Sequence, residues 1–302
     1  MANVRELKRR IRSVKNIAQV TRAMQMVAAS RMRRAQEQVL ATRPYSAKAW
    51  ELLIHLAAQQ STNRAIHPLL TRRDPILATA IVLITSDKGL CGAYNSNIIR
   101  TTLHFMQDLS QPVRLVTVGR RGRDFMIRHG GHVIAEFADL PARPSLLDIT
   151  PIARTVIDDF LEGYHDEVYL AYTDFINTLT QKPTIRRILP ITPELVTGSV
   201  MSEYMAETPL HLTGEYIYEP DPYTILEAVL PRFTELQIYQ AVLESLASEH
   251  SARMVAMRNA TNNANELIDD LTLSYYRARQ EAITKEMLDI AGGAEALASV
   301  RS

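Results

Sequence analysis

The chain has 302 residues, 46% of them hydrophobic and 22% charged, with a formal net charge of +1. That is room for two ordinary domains, or for one domain plus an extension, in a chain of ordinary soluble composition. The single cysteine, Cys91, excludes an intramolecular disulfide, and no apolar run approaches the ~18 residues that a membrane-crossing helix requires.

The near-zero charge hides an asymmetry. Residues 1–34 hold ten Lys or Arg and one acid, Glu6, whereas residues 219–302 hold thirteen acids and seven bases. Residues 1–43 contain neither proline nor glycine. A walk in alternating threes and fours gives Val4, Leu7, Ile11, Val14, Ala18, Thr21, Gln25, Ala28, Met32, Ala35 and Val39. Their mean spacing of 3.5 is that of a coiled-coil seam. The Arg-rich start resembles a mitochondrial transit peptide, but the repeat runs through it unbroken, so it reads as mature, cytoplasmic protein. The helix is predicted to continue past Pro44, with a kink, and to end near Ser61 or Thr62. Residues 66–75 read as a linker.

An α/β domain over residues 76–190 follows. Residues 80–84 are a short apolar run, the pattern of a strand buried on both faces. The loop Ser86-Asp87-Lys88-Gly89-Leu90-Cys91-Gly92 leads into a helix over 94–109. Strands are predicted at 113–118 and 132–137, around a short helix at 120–128. A helix at 147–163, capped by Asp148 or Thr150, precedes strands at 167–175 and 184–189. The last link is too short for a helical crossover, so the fifth strand should pair antiparallel with the fourth. The fold class is α/β, a Rossmann-like domain with a mostly parallel five-stranded sheet. Residues 191–218 read as loop.

The final segment, 219–302, has its prolines at 220, 222 and 231, just before a long helix, and its glycines at 292 and 293. The seam resumes through Leu226, Val229, Phe233, Leu236, Gln240, Leu243, Ala247, His250, Met254, Met257, Thr261, Ala264, Ile268, Leu271, Tyr275, Ala278 and Ala282. Some seventy residues at ~1.5 Å each make a rod on the order of 100 Å long. One helix cannot bury such a seam alone. Residues 1–62 and 219–302 are therefore predicted to form one long antiparallel coiled coil, their opposite charges helping to set its register.

No catalytic constellation emerges. The loop at Asp87, Lys88, Gly89 and Gly92 could cradle a phosphate at a helix N-terminus, but it matches neither the P-loop nor the dinucleotide pattern; a tight turn is the plainer reading. Cys91 reads as a packed thiol. His129 and His132 straddle the Gly130-Gly131 break and do not make a metal pair. His250, on the seam, reads as a polar residue that sets register. The acids Asp158-Asp159 and Asp269-Asp270 read as solvated faces. The stripe of Arg9, Arg10, Arg12, Lys15, Arg22, Arg31, Arg33 and Arg34 raises nucleic acid, but no aromatic precedes Tyr45 and the aliphatic seam is too regular for a free basic arm. What remains is a lever or tether, or else a nucleotide-binding α/β protein with a helical interaction arm.

Three blocks carry a family resemblance. The first is Ile11-Arg12-Ser13-Val14-Lys15-Asn16-Ile17 with Thr21-Arg22-Ala23-Met24-Gln25-Met26-Val27-Ala28-Ala29-Ser30. The second is the Ser86 to Gly92 loop with Phe175-Ile176-Asn177-Thr178. The third is Ser248-Glu249-His250-Ser251-Ala252-Arg253-Met254-Val255-Ala256-Met257, then Asn259-Ala260-Thr261, Ala278-Arg279-Gln280, Ile283-Thr284 and Glu286. Together they resemble the gamma subunits of F-type ATP synthases. The resemblance implies a non-catalytic central-stalk rotor, without cofactor or metal. Its partners would be the alpha and beta subunits, the epsilon subunit and the c-subunit ring. It implies no nucleic acid and a membrane association made only through the complex, at the cytoplasmic face of a bacterial cell membrane. It also implies contact with the beta subunit at Met24, Arg279, Gln280 and Thr284. The lone cysteine and the lack of an obvious insertion set the chain apart from the redox-regulated plant form.

Overall fold

A computed structural model describes residues 4–58, 67–178, 180–191, 219 and 221–300, with the backbone alone at 43, 45–47, 50–58, 222–223 and 293–300. The predicted helix end near residue 61 and nearly all of the 191–218 segment lie outside the described residues. The chain divides into two compact units, residues 28–253 and a unit of residues 1–27 with 254–302.

The larger unit is built on a five-stranded sheet. β1 is Thr79–Ile84, β2 Val113–Val118, β3 His132–Phe137, β4 Glu167–Phe175 and β5 Gln181–Leu189. Their order is β3-β2-β1-β4-β5. β1 to β4 are parallel and β5 is antiparallel to β4. β1 is buried along its whole length, as its unbroken apolar run requires. Helices α2 (Tyr94–Asp108) and α3 (Arg120–Arg128) cover one face, with Ile98, Ile99 and Met126 packed on Ile81, Leu83 and Leu115. Helix α4 (Leu146–Leu161) and residues 226–242 of helix α5 (Pro222–Val300) cover the other, with Phe160, Phe233 and Ile238 packed around Val82, Val116 and Tyr172. At the end of β2, Gly119 has φ +98°, and a Cβ there would stand 2.2 Å from the Thr85 carbonyl oxygen. Only glycine allows that approach.

Four expectations are corrected in detail. The N-cap of α4 is Ser145; Asp148, at the third helical position, reaches back to accept from both the Ser145 N–H and its hydroxyl, each at 2.7 Å. β5 begins at Gln181, three residues early, because Pro183 is tolerated on a strand that stands at the edge of the described sheet. Pro231 lies inside α5. The helix passes through it where Glu227, Ala228 and Arg232 are exposed, so water can serve the carbonyl that loses its partner. Within 66–75, Pro68–Leu70 form a turn of 3-10 helix and Leu69 is fully buried, so this stretch anchors to the core.

Helix α1 runs Val4–Ala58, through Pro44, and packs along α5. Every predicted seam residue of α1 from Val4 to Val39 is buried or half-buried, while most of the residues between them are exposed. On α5 the seam residues from Leu226 to Ala278 are likewise buried or half-buried, but only past Met257 are most of the residues between them exposed, since up to about residue 253 the helix is also covered by the sheet domain. The helices are antiparallel. In the smaller unit the hydroxyls of Thr21 and Thr261 meet at 2.7 Å. In the larger, Arg31 acts electrostatically on Glu249 and His250. The ion pairs described on the two helices, Arg10–Glu6 at 2.6 Å, Arg232–Glu235 at 3.0 Å and Arg253–Glu249 at 2.7 Å, are intrahelical.

Candidate functional site: the unpaired helix end and the polar joint

The register at Thr21 and Thr261 fixes where the pairing stops. Seventeen residues back along α1 from Thr21 is Val4; seventeen forward along α5 from Thr261 is Ala278. Past that point no described turn of α1 stands opposite α5. Every residue from 279 to 292 is exposed, the predicted seam residue Ala282 among them. The seam itself turns polar there, at Lys285 and Asp289. A second repeat replaces it on the opposite side of the helix: Leu273, Tyr276, Gln280, Ile283, Met287 and Ile290, again spaced three and four. Its five apolar members are between 47% and 68% exposed. A row of large apolar side chains left in water along a helix is a surface built for a partner.

Arg279, Gln280 and Thr284 lie together on this unpaired stretch, all exposed, with Gln280 and Thr284 one turn apart on a shared face. Met24 does not join them. It is half-buried on α1, opposite the region of Arg258, about 30 Å along the axis from Arg279 at the usual helical rise. The four residues thus lie at two separate places on the helix pair. Sequence reading followed the seam and passed over the second repeat; the signal was the polar break at Lys285 and Asp289.

A second cluster sits in the larger unit, where α5 crosses the C-terminal ends of β1 and β4. The Arg253 guanidinium donates to Glu249 Oε1 at 2.7 Å, to the Gly89 carbonyl at 3.1 Å and to the Lys88 carbonyl at 3.4 Å. It also donates to His250 Nδ1 at 3.3 Å, which makes that nitrogen an acceptor on a neutral ring. Burial, then the Arg253 and Arg31 charges, push the His250 pKa down to about 4. Burial raises the Glu249 carboxyl, with Arg253 opposing. Cys91 is buried, its thiol pKa raised by desolvation, and it accepts from Asn95 Nδ2 at 3.2 Å. It is a packed thiol, as its sequence setting implied.

The loop after β1 is arranged against phosphate. Its Lys88 and Gly89 carbonyls face a guanidinium. Asp87 places its own carboxylate on the Arg120 N–H at the start of α3, at 3.0 Å, and on the Asp139 N–H at 3.1 Å. Among the described residues no cluster of His, Cys, Asp or Glu could hold a metal ion, and no helix is long and apolar enough to cross a membrane.

Comparison with known proteins agrees with this geometry over the whole length. A family model described as ATP synthase matches residues 3–297. The ATP synthase gamma chain of Dehalococcoides mccartyi is 52% identical over 298 residues, covering 99% of this chain and 100% of its relative. The chain belongs to the ATP synthase gamma chain family. The gamma chain of Chloroflexus aurantiacus is 47% identical over 303 residues, with 99% and 100% covered. Among solved structures, a chain of the central stalk and c-ring of Tetrahymena thermophila mitochondrial ATP synthase is 25% identical, with a TM-score of 0.58 over 80% of this chain and 99% of its own. A chain of Euglena gracilis mitochondrial ATP synthase shares the fold at 20% identity, with a TM-score of 0.66 over 99% and 96%. The family model and the relatives' matches span the residues of both clusters described above.

Proposed function

We propose that this gamma chain is the central-stalk rotor of an F-type ATP synthase. It couples proton flow through the membrane ring to the conformational cycling of the catalytic beta subunits. The observation that carries this reading is the unpaired end of α5. Its apolar stripe needs a sleeve, and its Arg279 and Gln280 offer hydrogen-bond donors to whatever surrounds it. A ring of alternating alpha and beta subunits supplies such a sleeve. Because the helix is apolar on one side and charged on the other, each orientation favours a different beta conformation through differential contacts, which is the only way a shaft can drive a conformational change. Residues 1–62 and 219–302 act as the shaft. Residues 76–190 form the membrane-proximal domain, against the epsilon subunit and the c ring, and 191–218 are assigned no role. Met24 meets beta at the neck, and Arg279, Gln280 and Thr284 meet it at the upper shaft. The chain itself performs no reaction. It is held peripherally at the cytoplasmic face of a bacterial membrane through the complex.

The test is made in the assembled complex. Gln280→Leu and Arg279→Leu should each lower coupled ATP synthesis by about three- to tenfold, the equivalent of one or two lost hydrogen bonds of ordinary worth. Unchanged synthesis in both variants would remove these residues from the contact.

A further inference from the structure

In open α/β sheets, ligands settle in the crevice beyond the C-terminal ends of two strands whose connections lead to opposite sides. Here that crevice lies between β1 and β4, since β1 leads to β2 on one side and β4 stands on the other. It is filled by the chain's own helix. The Thr173 N–H, near the end of β4, donates to Ser245 Oγ at 3.2 Å, and Ser248 Oγ donates to the Thr173 carbonyl at 3.2 Å. Ser251 Oγ donates to the Thr178 carbonyl at 2.7 Å. Arg253 closes the row on the Lys88 and Gly89 carbonyls after β1. The apolar packing of α5 on the sheet ends near Val242 and Leu246, and this polar row takes over where it stops. The side chains of Arg253 and Glu249 are only 12% and 13% exposed.

A shielded ion pair is a poor choice for stability alone, since apolar side chains of the same volume usually serve as well. What it adds is direction. Apolar contacts let a helix roll on a sheet at small cost, whereas guanidinium and hydroxyl bonds to fixed carbonyls hold at one angle. We infer that Arg253, braced by Glu249 and assisted by Ser248 and Ser251, is a positioning residue that locks α5 against the ends of β1 and β4, so that the sheet and the helix turn as one piece. The inference rests on the rotor reading and adds to it the joint through which torque leaves the α/β domain.

The experiment uses the whole complex in inverted membrane vesicles, with Arg253→Met and the double variant Ser248→Ala/Ser251→Ala. Three quantities are read: ATP hydrolysis, ATP-driven proton uptake, and amide hydrogen exchange over residues 86–92. Arg253→Met should keep hydrolysis within about twofold of the parent while proton uptake per ATP falls at least about threefold, as slip replaces transmission, and exchange in the loop rises. Arg253→Lys should recover part of the ratio, because an ammonium still reaches one carbonyl. The double serine variant should lower the ratio without loosening the loop after β1, and it decides the matter if Arg253→Met does not assemble. A parental ratio in Arg253→Met and in the serine variant overturns the joint, as does loop exchange indifferent to Arg253. A parent whose hydrolysis moves no protons, or that does not assemble with alpha and beta, sinks the rotor reading itself, which is a different result.

Discussion

His250 shows how a single seam residue is tuned. Its place in the repeat marks it as polar among apolar neighbours, and the structure adds the burial, and then the Arg253 donor, that keep it neutral. Its folded pKa, about 4, lies below the ordinary value of 6.5. The unfolded chain therefore binds the proton first, and stability is lost as pH falls from about 6.5 towards about 4, levelling off below. Glu249, raised by burial and partly offset by Arg253, works in the opposite sense at the acid end, so the comparison must be between variant and parent. His250→Gln should flatten the fall in melting temperature between pH 6.5 and 4, removing on the order of 2 kcal/mol of pH dependence. Equal slopes in the two proteins would show that His250 titrates freely in the fold. The Arg253 contacts were not legible in the sequence, although Arg253 stands in a quoted motif. Its partners, the Lys88 and Gly89 carbonyls, are backbone atoms some 165 residues away, and no side-chain pattern announces a carbonyl.

At the scale of elements, the two long helices were the most legible part of the chain. A heptad seam needs only a spacing and an absence of breakers, and both can be read directly. The strands were legible to within a few residues where their runs are apolar. Edge strand β5 was legible only from Thr184, since Lys182 and Pro183 look like turn residues until their edge position is known. The cap of α4 was missed because Asp148, a good cap by type, serves there as the partner that reaches back to Ser145. Register was the part the pattern left open, for a sliding heptad still buries its seam. The Thr21 and Thr261 hydroxyls, in contact at 2.7 Å on a half-buried seam, supply a directional pin. Replacing both with valine, and each alone, should give a coupling free energy of about 0.5–1 kcal/mol in urea unfolding. Strictly additive losses would mean that the apolar residues alone hold the register.

For the whole molecule, the decisive feature is that α5 runs on past the described turns of α1. A seam that ends in Lys285 and Asp289, and an apolar stripe that begins on the other face, turn a coiled coil into a single exposed helix designed to meet other chains. That handover explains why no catalytic constellation appears in the sequence: the chemistry of a rotor is the asymmetry of its surface, and the reacting groups belong to the subunits it turns. The most direct measurement is single-molecule rotation. Alpha and beta subunits are fixed to a surface, and this chain carries a probe on a cysteine introduced at exposed Ser96, far from reactive competition because native Cys91 is buried. With ATP supplied, the probe should turn continuously and in one direction. ATP hydrolysis by the same molecules with a stationary or randomly rocking probe would contradict the account.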